Sequence, residues 1–527
     1  MDRRQFIGNS IKACAATAFA GGVSQKAFAN SQLLQAIAGS CTDNILVLVQ
    51  LSGGNDGLNT IIPLDQYSLL SSARSNILIP ENKVLGTTKY NGTGFHPSTT
   101  GMWELFESNK FSIVQGCSYN NPDLSHFRAT DILMSGSDSN EFLKTGWLGR
   151  NLDQIHPDFP EGYPSEVNTD PVAVQMGSTT ALALEGELSS FGLAVTSISR
   201  DYALLSGFGD PAPDSRAGCE LEYIRKVAVD TDSYNARILE AAANQPKNLS
   251  TKYGSGSLSS QLKNVARLIK GGLQTRVYVV SLFGFDHHAN QTDSGDTTTG
   301  SHASLLKIVS EAVCAFQDDL ELMEVNKRVT GLIFSEFGRR VTSNGSNGTD
   351  HGTAMPLMLF GSELIGDMYG TNPNLAASNG GVVSNVPMQR DYRDVYYSIL
   401  KDWFCLSEAQ LSNVFGGKHY EYIELFKPGS ITGNSDDKHE RERTNKLSSI
   451  YPQPMDTRTT IRFNTSGGLV LVEVFDLLGI KVATVLNTKV SPGVHEVGFE
   501  KNNLKSGTYY VKMTTDNFIE TKKLVVK

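Results

Sequence analysis

The run Ile45-Leu46-Val47-Leu48-Val49-Gln50-Leu51 is almost unbroken in aliphatic character and stops abruptly in Ser52-Gly53-Gly54-Asn55-Asp56-Gly57. A strand with one wet face alternates apolar and polar residues. A continuous run is the pattern of a strand covered on both faces. Similar runs occur at Phe111 to Gly116, Val277 to Phe283 and Val329 to Phe334, with a fifth at Met355 to Phe360. Helical patterns separate them. In Leu305 to Leu322, for example, Leu305, Ile308, Val309, Ala312, Val313 and Phe316 fall on one stripe. Buried strands alternating with helices imply an α/β fold, a doubly wound and mainly parallel sheet. Ligands of such sheets sit beyond the carboxyl ends of the strands, so the residues that follow each run carry the functional reading.

After the first run, Asp56 stands just past a glycine-permitted turn, placed to ligate a metal or simply to make an Asp-Gly turn. After the second, Ser125 precedes a helical stretch that begins His126-Phe127-Arg128. It reads either as a helix cap or as a nucleophile where exposed amides favour an anion. Arg128 and, in Gly146-Trp147-Leu148-Gly149-Arg150, Arg150 are cations for an anionic group. After the third run comes Gly284-Phe285-Asp286-His287-His288. Carboxylate plus imidazole is a usual donor set for zinc or manganese, and of two adjacent histidines only one is placed to ligate; His288 is preferred. After the fourth come Ser335-Glu336-Phe337-Gly338-Arg339 and then Asp350-His351-Gly352. Glu336 at a strand end needs partners, and Asp350 with His351 offers another ligand pair. Four successive strand ends bearing Asp, Ser, Asp/His and Glu/Asp/His make a coincidence of turn residues a poor explanation.

The chain has 527 residues, more than one ordinary domain holds. Its net charge of −9 opposes a nucleic-acid role, which needs a basic face. No stretch of about 18 apolar residues could span a membrane as a helix. The cysteines (Cys14, Cys41, Cys117, Cys219, Cys314 and Cys405) contain no CxxC pair. Five remain if the N-terminus is cleaved, so at least one thiol stays free.

Both ends read as addresses. Arg3-Arg4-Gln5-Phe6-Ile7, a weakly apolar stretch, Lys26 and then Ala27-Phe28-Ala29 resemble a twin-arginine export signal over residues 1–29. An α/β domain is expected over 40–427. A charged linker follows over 428–449, containing a run from Asp436 to Lys446 without an apolar residue. From 450 to 527 the pattern turns to strands, with Val470, Val472 and Val474 on one face, and a small β-sandwich is expected. Tyr451-Pro452-Gln453-Pro454, Val474-Phe475-Asp476-Leu477-Leu478-Gly479, Gly507-Thr508-Tyr509-Tyr510-Val511 and the terminal Lys523-Leu524-Val525-Val526-Lys527 resemble the C-terminal sorting domain of the type nine (Por) secretion system of Bacteroidetes.

The central segments resemble the large family named domain of unknown function 1501. The resemblance is carried by Gly53-Gly54-Asn55-Asp56-Gly57-Leu58-Asn59-Thr60, Leu124-Ser125-His126-Phe127, Gly146 to Arg150, Asp286-His287-His288 with Gln291, Ser335 to Arg339, and Asp350-His351-Gly352. That family is similar to the alkaline phosphatase and sulfatase superfamily, which implies a doubly wound sheet with one or two metals at the strand ends. By this resemblance Ser125 is the nucleophile. Asp286 and His288 bind a first metal completed by His351, and Glu336 with Asp56 serves a second. Two departures stand out. Phe337 occupies a position where the two-metal phosphatases carry a ligand, and the Cys-x-Pro-x-Arg segment of sulfatases is absent. The expectation is a metal-dependent hydrolase of phosphate or sulfate esters using zinc or manganese, one or two ions. It would act on a small anionic ester and use the twin-arginine translocase and the type nine machinery. It would cross the periplasm and end up secreted or on the outer surface. The rivals are a non-catalytic secreted or surface protein keeping the fold and a structural ion, and a carbohydrate-binding secreted module.

Overall fold

The computed structural model describes residues 43–165, 168–199, 231–427, 446–451, 453–465, 468–476, 479–491, 493–501, 504–515 and 518–527. The twin-arginine segment with its cleavage site, residues 428–445 of the expected linker, and Cys14, Cys41 and Cys219 lie outside them. The described residues fall into two compact units, 43–427 and 446–527.

The larger unit is built on one sheet. Its strands are β1 (Ile45–Ser52), β2 (Phe111–Ser118), β3 (Ala173–Met176), β4 (Gly192–Val195), β5 (Val277–Phe283), β6 (Val329–Phe334), β7 (Met355–Gly361), β8 (Met368–Tyr369) and β9 (Arg390–Asp391). They lie in the order β8-β2-β7-β6-β1-β5-β3-β4, with β9 also paired to β2. Every pairing is parallel except those of β7, which runs antiparallel to β2 and β6. The mainly parallel, doubly wound α/β expectation therefore holds.

The reason for the unbroken run in β1 is visible in its packing. Ile45, Val47, Val49 and Leu51 join a core shared with helices Thr100–Glu107, Ser257–Lys270 and Ser301–Leu322. Leu46 and Leu48 join the core on the opposite face, shared with His126–Ser135, Trp147–Ile155 and Tyr392–Ser398. Both sets are almost fully buried, so aliphatic side chains occupy both faces along most of the strand.

The second unit has two antiparallel sheets. One orders Lys446–Tyr451, Arg458–Thr465 and Gly493–Glu500. The other orders Lys481–Val490, Gly468–Phe475, Gly507–Thr515 and Phe518–Val526. Val470, Val472 and Val474 are wholly buried with Ile461, Phe463 and Val511 in one core, as the alternation predicts. The first strand starts at Lys446, inside the segment assigned to the linker, because its leading residues carry the same charged and polar character as the run before it. No helix among the described residues is long and apolar enough to cross a membrane. Cys117 and Cys314 are free thiols, and Cys405 is disulfide-bonded.

Candidate metal centre

The turn after β1 meets the loop after β5 at closest range. Gly53 has φ +124°, and a Cβ there would lie 2.3 Å from the Asp286 amide nitrogen. Only glycine allows this approach. The loop after β6 continues into a hairpin, Arg339–Ser343 paired with Thr349–His351, whose register sets Arg339 opposite His351. Leu124, at the end of the loop after β2, accepts a hydrogen bond from His351 Nδ1 at 2.8 Å. Four strand-end segments thus converge, as the fold class requires.

At the meeting point stand Asp286, His126, His288 and His351. His126 Nε2 is 3.4 Å from Asp286 Oδ2, His288 Nε2 is 3.2 Å from Asp286 Oδ1, and His351 Nε2 is 3.4 Å from the same oxygen. Donor atoms of His126, Asp286 and His351 all lie within 4.8 Å of one another. His288 Nε2 faces His351 Nε2 at 2.9 Å.

The tautomers follow from the outer partners. His126 Nδ1 donates to Glu336 Oε1 at 2.7 Å, an oxygen that also accepts the Gly53 amide at 2.8 Å. His351 Nδ1 must donate, since its partner is a carbonyl. His288 Nδ1 is 3.4 Å from Asp350 Oδ1. With each Nδ1 proton directed outward, three Nε2 lone pairs point inward at one carboxylate. Burial and the charge of Arg339 hold the His351 imidazole below its usual pKa, in the neutral form that ligates. Burial raises the Asp286 pKa, but the hydrogen bond and charge of Arg339, with His288 and His126, outweigh it and keep the carboxyl low.

This donor set fits a divalent ion. His126 Nε2 is buried and has no hydrogen-bond partner, an arrangement that costs free energy unless something accepts its lone pair. Two imidazole nitrogens facing each other at 2.9 Å raise the same demand. Each of the three imidazoles carries an outer partner that fixes its ring, a construction that suits a metal site.

The other residues singled out in the sequence have these partners. Asp56 is not among the converging groups: its carboxylate is buried, 2.8 Å from Arg74 Nη1, and accepts Gln291 Nε2 at 2.7 Å. Burial opposes the Asp56 charge, but Arg74, His302 and Gln291 prevail and lower its pKa. Glu336 accepts from His126. Its oxygens are committed to Gly53, His126 and Ser335. Asp350 stands behind His288 and accepts Asn344 Nδ2 at 3.2 Å. Arg128 donates to the carbonyls of Asp138, Ser139 and Glu141, so it ties down a loop. Arg150 is spent on the carbonyls of Val414, Thr145 and Ser135. Asp286, His288 and His351 do meet, and the His287 ring instead packs edge-on against His302.

Ser125 is the N-cap of helix His126–Ser135, exposed, and its hydroxyl makes no capping bond. Its amide donates to Asp123 Oδ1 at 2.7 Å. Phe337 lies beneath the imidazoles, its ring centroid 4.9 Å from that of His126 and 4.6 Å from that of His351. The sequence reading missed His126. Its signal was a histidine in the first helical turn directly after a strand-end loop.

The fold and the site define a class: an α/β protein with an imidazole and carboxylate centre at the strand ends, joined to a β-domain. The chain belongs to the family described as "Protein of unknown function (DUF1501)", whose model matches residues 126–412. Residues 449–527 match the secretion system C-terminal sorting domain, which directs the protein to export and to the cell surface or the medium. No curated protein matches the sequence. Among solved structures, Ps i-CgsB in complex with k-i-k-neocarrahexaose shares 10% identity at a TM-score of 0.31, covering 80% of this chain and 82% of its own. A protein of a glycosaminoglycan-metabolism locus of Bacteroides thetaiotaomicron shares 9% at a TM-score of 0.33, with 87% and 90% covered. The PsFucS1 sulfatase from Pseudoalteromonas sp. shares 10% at a TM-score of 0.31, with 89% and 86% covered.

Proposed function

We propose that the protein is a metal-dependent hydrolase of phosphate or sulfate esters, exported by the type nine machinery. The observation that carries the reading is the convergence of His126, His288 and His351 on Asp286, with every outward nitrogen tied to an acceptor. The imidazole-rich set favours zinc over manganese, held by His126, Asp286 and His351 with His288 beside them. An ion bound there supplies Lewis acidity toward an ester oxygen. Glu336 and the Leu124 carbonyl fix the ring orientations. Arg339, wholly buried, holds Asp286 Oδ1 at 2.6 Å and keeps it ionised. Ser125 lies between Leu124, which anchors His351, and His126 itself. Its hydroxyl is the nucleophile of this reading, positioned at a helix start that favours developing negative charge. The export route begins at the twin-arginine translocase.

The rival, a non-catalytic surface protein with a structural ion, is favoured by one observation: Arg128 and Arg150, the expected anion binders, are both spent on backbone carbonyls. Hydrolysis of 4-nitrophenyl phosphate and 4-nitrophenyl sulfate by the zinc-loaded protein separates the two. The hydrolase reading predicts turnover of one of them, reduced by orders of magnitude in Ser125→Ala with metal content kept. If neither is turned over, the structural-ion reading stands. Turnover that survives Ser125→Ala removes Ser125 from the chemistry.

A further inference from the structure

Three polar residues that the hydrolase reading leaves unused, Asp56, Gln291 and Thr349, are almost wholly buried and form one hydrogen-bonded chain. Gln291 Nε2 donates to Asp56 Oδ2 at 2.7 Å, and Thr349 Oγ1 donates to Gln291 Oε1 at 2.9 Å. The direction of both bonds is fixed. An ionised carboxylate only accepts, so the amide nitrogen must face Asp56. The amide oxygen is then left toward Thr349, whose single hydroxyl proton is spent on it.

The chain joins the segments that carry two of the imidazoles. Gln291 follows His288 by three positions, and Thr349 precedes His351 by two. The Nε2 atoms of these histidines face each other at 2.9 Å, although the histidines stand on separate segments. Backbone bonds lace the two segments together: the Gln291 amide donates to the Asn347 carbonyl at 2.8 Å and the Thr349 amide to the His287 carbonyl at 2.9 Å. Asp56, just past β1, adds a fixed point outside both. Its Oδ2 also accepts Arg74 Nη1 at 2.8 Å, and Arg74 Nε donates to the Val341 carbonyl at 2.8 Å. One carboxylate thus reaches both strands of the hairpin, the first through Arg74 and the second through Gln291.

We propose that Gln291 is a positioning residue of the metal centre: through Thr349 it sets the placement of His351 against His288. The proposal rests on the metal-dependent reading of the site.

The test is titration of the full metal-free chain with cobalt, whose visible absorption follows its ligand geometry, with circular dichroism confirming that each variant is folded. Thr349→Val keeps the side-chain volume and loses the hydroxyl. Thr349→Ser keeps the hydroxyl and loses the methyl group. If Thr349 served packing alone, the serine variant would be the more impaired. The positioning role predicts the reverse: Thr349→Val weakens cobalt binding about tenfold and alters the absorption spectrum, whereas Thr349→Ser keeps the affinity and spectrum of the wild type. Gln291→Met, which removes both bonds at similar length, should be impaired at least as much as Thr349→Val. Adding Thr349→Val to it should cost little more, because the two residues act in one chain. Wild-type affinity and spectrum in Thr349→Val and Gln291→Met overturn the positioning role alone, as does a serine variant impaired as much as the valine one. A folded wild type that binds no cobalt overturns the metal centre, and this proposal with it.

Discussion

His126 donates its Nδ1 proton to Glu336 Oε1 across 2.7 Å, and its other nitrogen is left buried with no hydrogen-bond partner. We propose for Glu336 a role other than the metal ligand expected from sequence. On the proposed reading the carboxylate is an outer partner that turns an imidazole inward, and the imidazole, not the carboxylate, is the ligand. Glu336→Gln should therefore lower metal affinity about 10- to 100-fold while leaving the number of sites unchanged. Competition with a fluorescent chelator measures this. An unchanged affinity would show that Glu336 does not orient the site.

Asp56 and Arg74 form a buried ion pair, with side chains 2% and 0% exposed. Removing one partner strands the other charge. Asp56→Ala should cost about 3–5 kcal/mol of stability in denaturant unfolding, with metal stoichiometry intact in the protein that still folds. A stable variant that has lost its metal would restore Asp56 as a ligand.

Asp394 is pushed up to about 6, chiefly by burial, while accepting the Glu421 amide at 2.8 Å. Its folded pKa lies above the unfolded value. The stability it contributes is complete below pH about 4 and is lost as pH rises through 6. Asp394→Asn should therefore melt higher than wild type at pH 8 and show the smaller difference at pH 4.5. A thermal scan in which the gap narrows as pH rises contradicts this.

Arg150, like Arg128, is spent on backbone carbonyls. Arg150→Met should lower the melting temperature, because three carbonyls lose a buried donor. Inorganic phosphate and sulfate binding, read by calorimetry on the zinc-loaded protein, should stay unchanged. A selective loss of anion affinity at unchanged stability would return Arg150 to the site.

What sequence reveals here follows from geometry. The strands β1, β2, β5 and β6 announce themselves because both faces are covered. The four-residue β3 and β4 and the two-residue β8 and β9 are too short to carry a pattern. Asp286, His288 and His351 were legible because fold class says where strand-end residues point. His126 was overshadowed by Ser125, whose capping preference is the stronger local signal. The Asp56 ion pair was not legible, because Arg74 ends a helix, Tyr67–Arg74, whose burial beside the β1 turn no local pattern announces. Nothing local in the sequence distinguishes a guanidinium that meets substrate from one that satisfies carbonyls.

The central claim is a single ion held by His126, Asp286 and His351 with His288 alongside. Elemental analysis of the natively purified protein tests it most directly, in wild type and in His126→Ala, His351→Ala and His287→Ala. The account predicts about one transition-metal ion per chain, retained in His287→Ala and largely lost in the other two variants. A folded wild-type protein without metal, or two ions per chain, or equal loss in His287→Ala and His126→Ala, would contradict it.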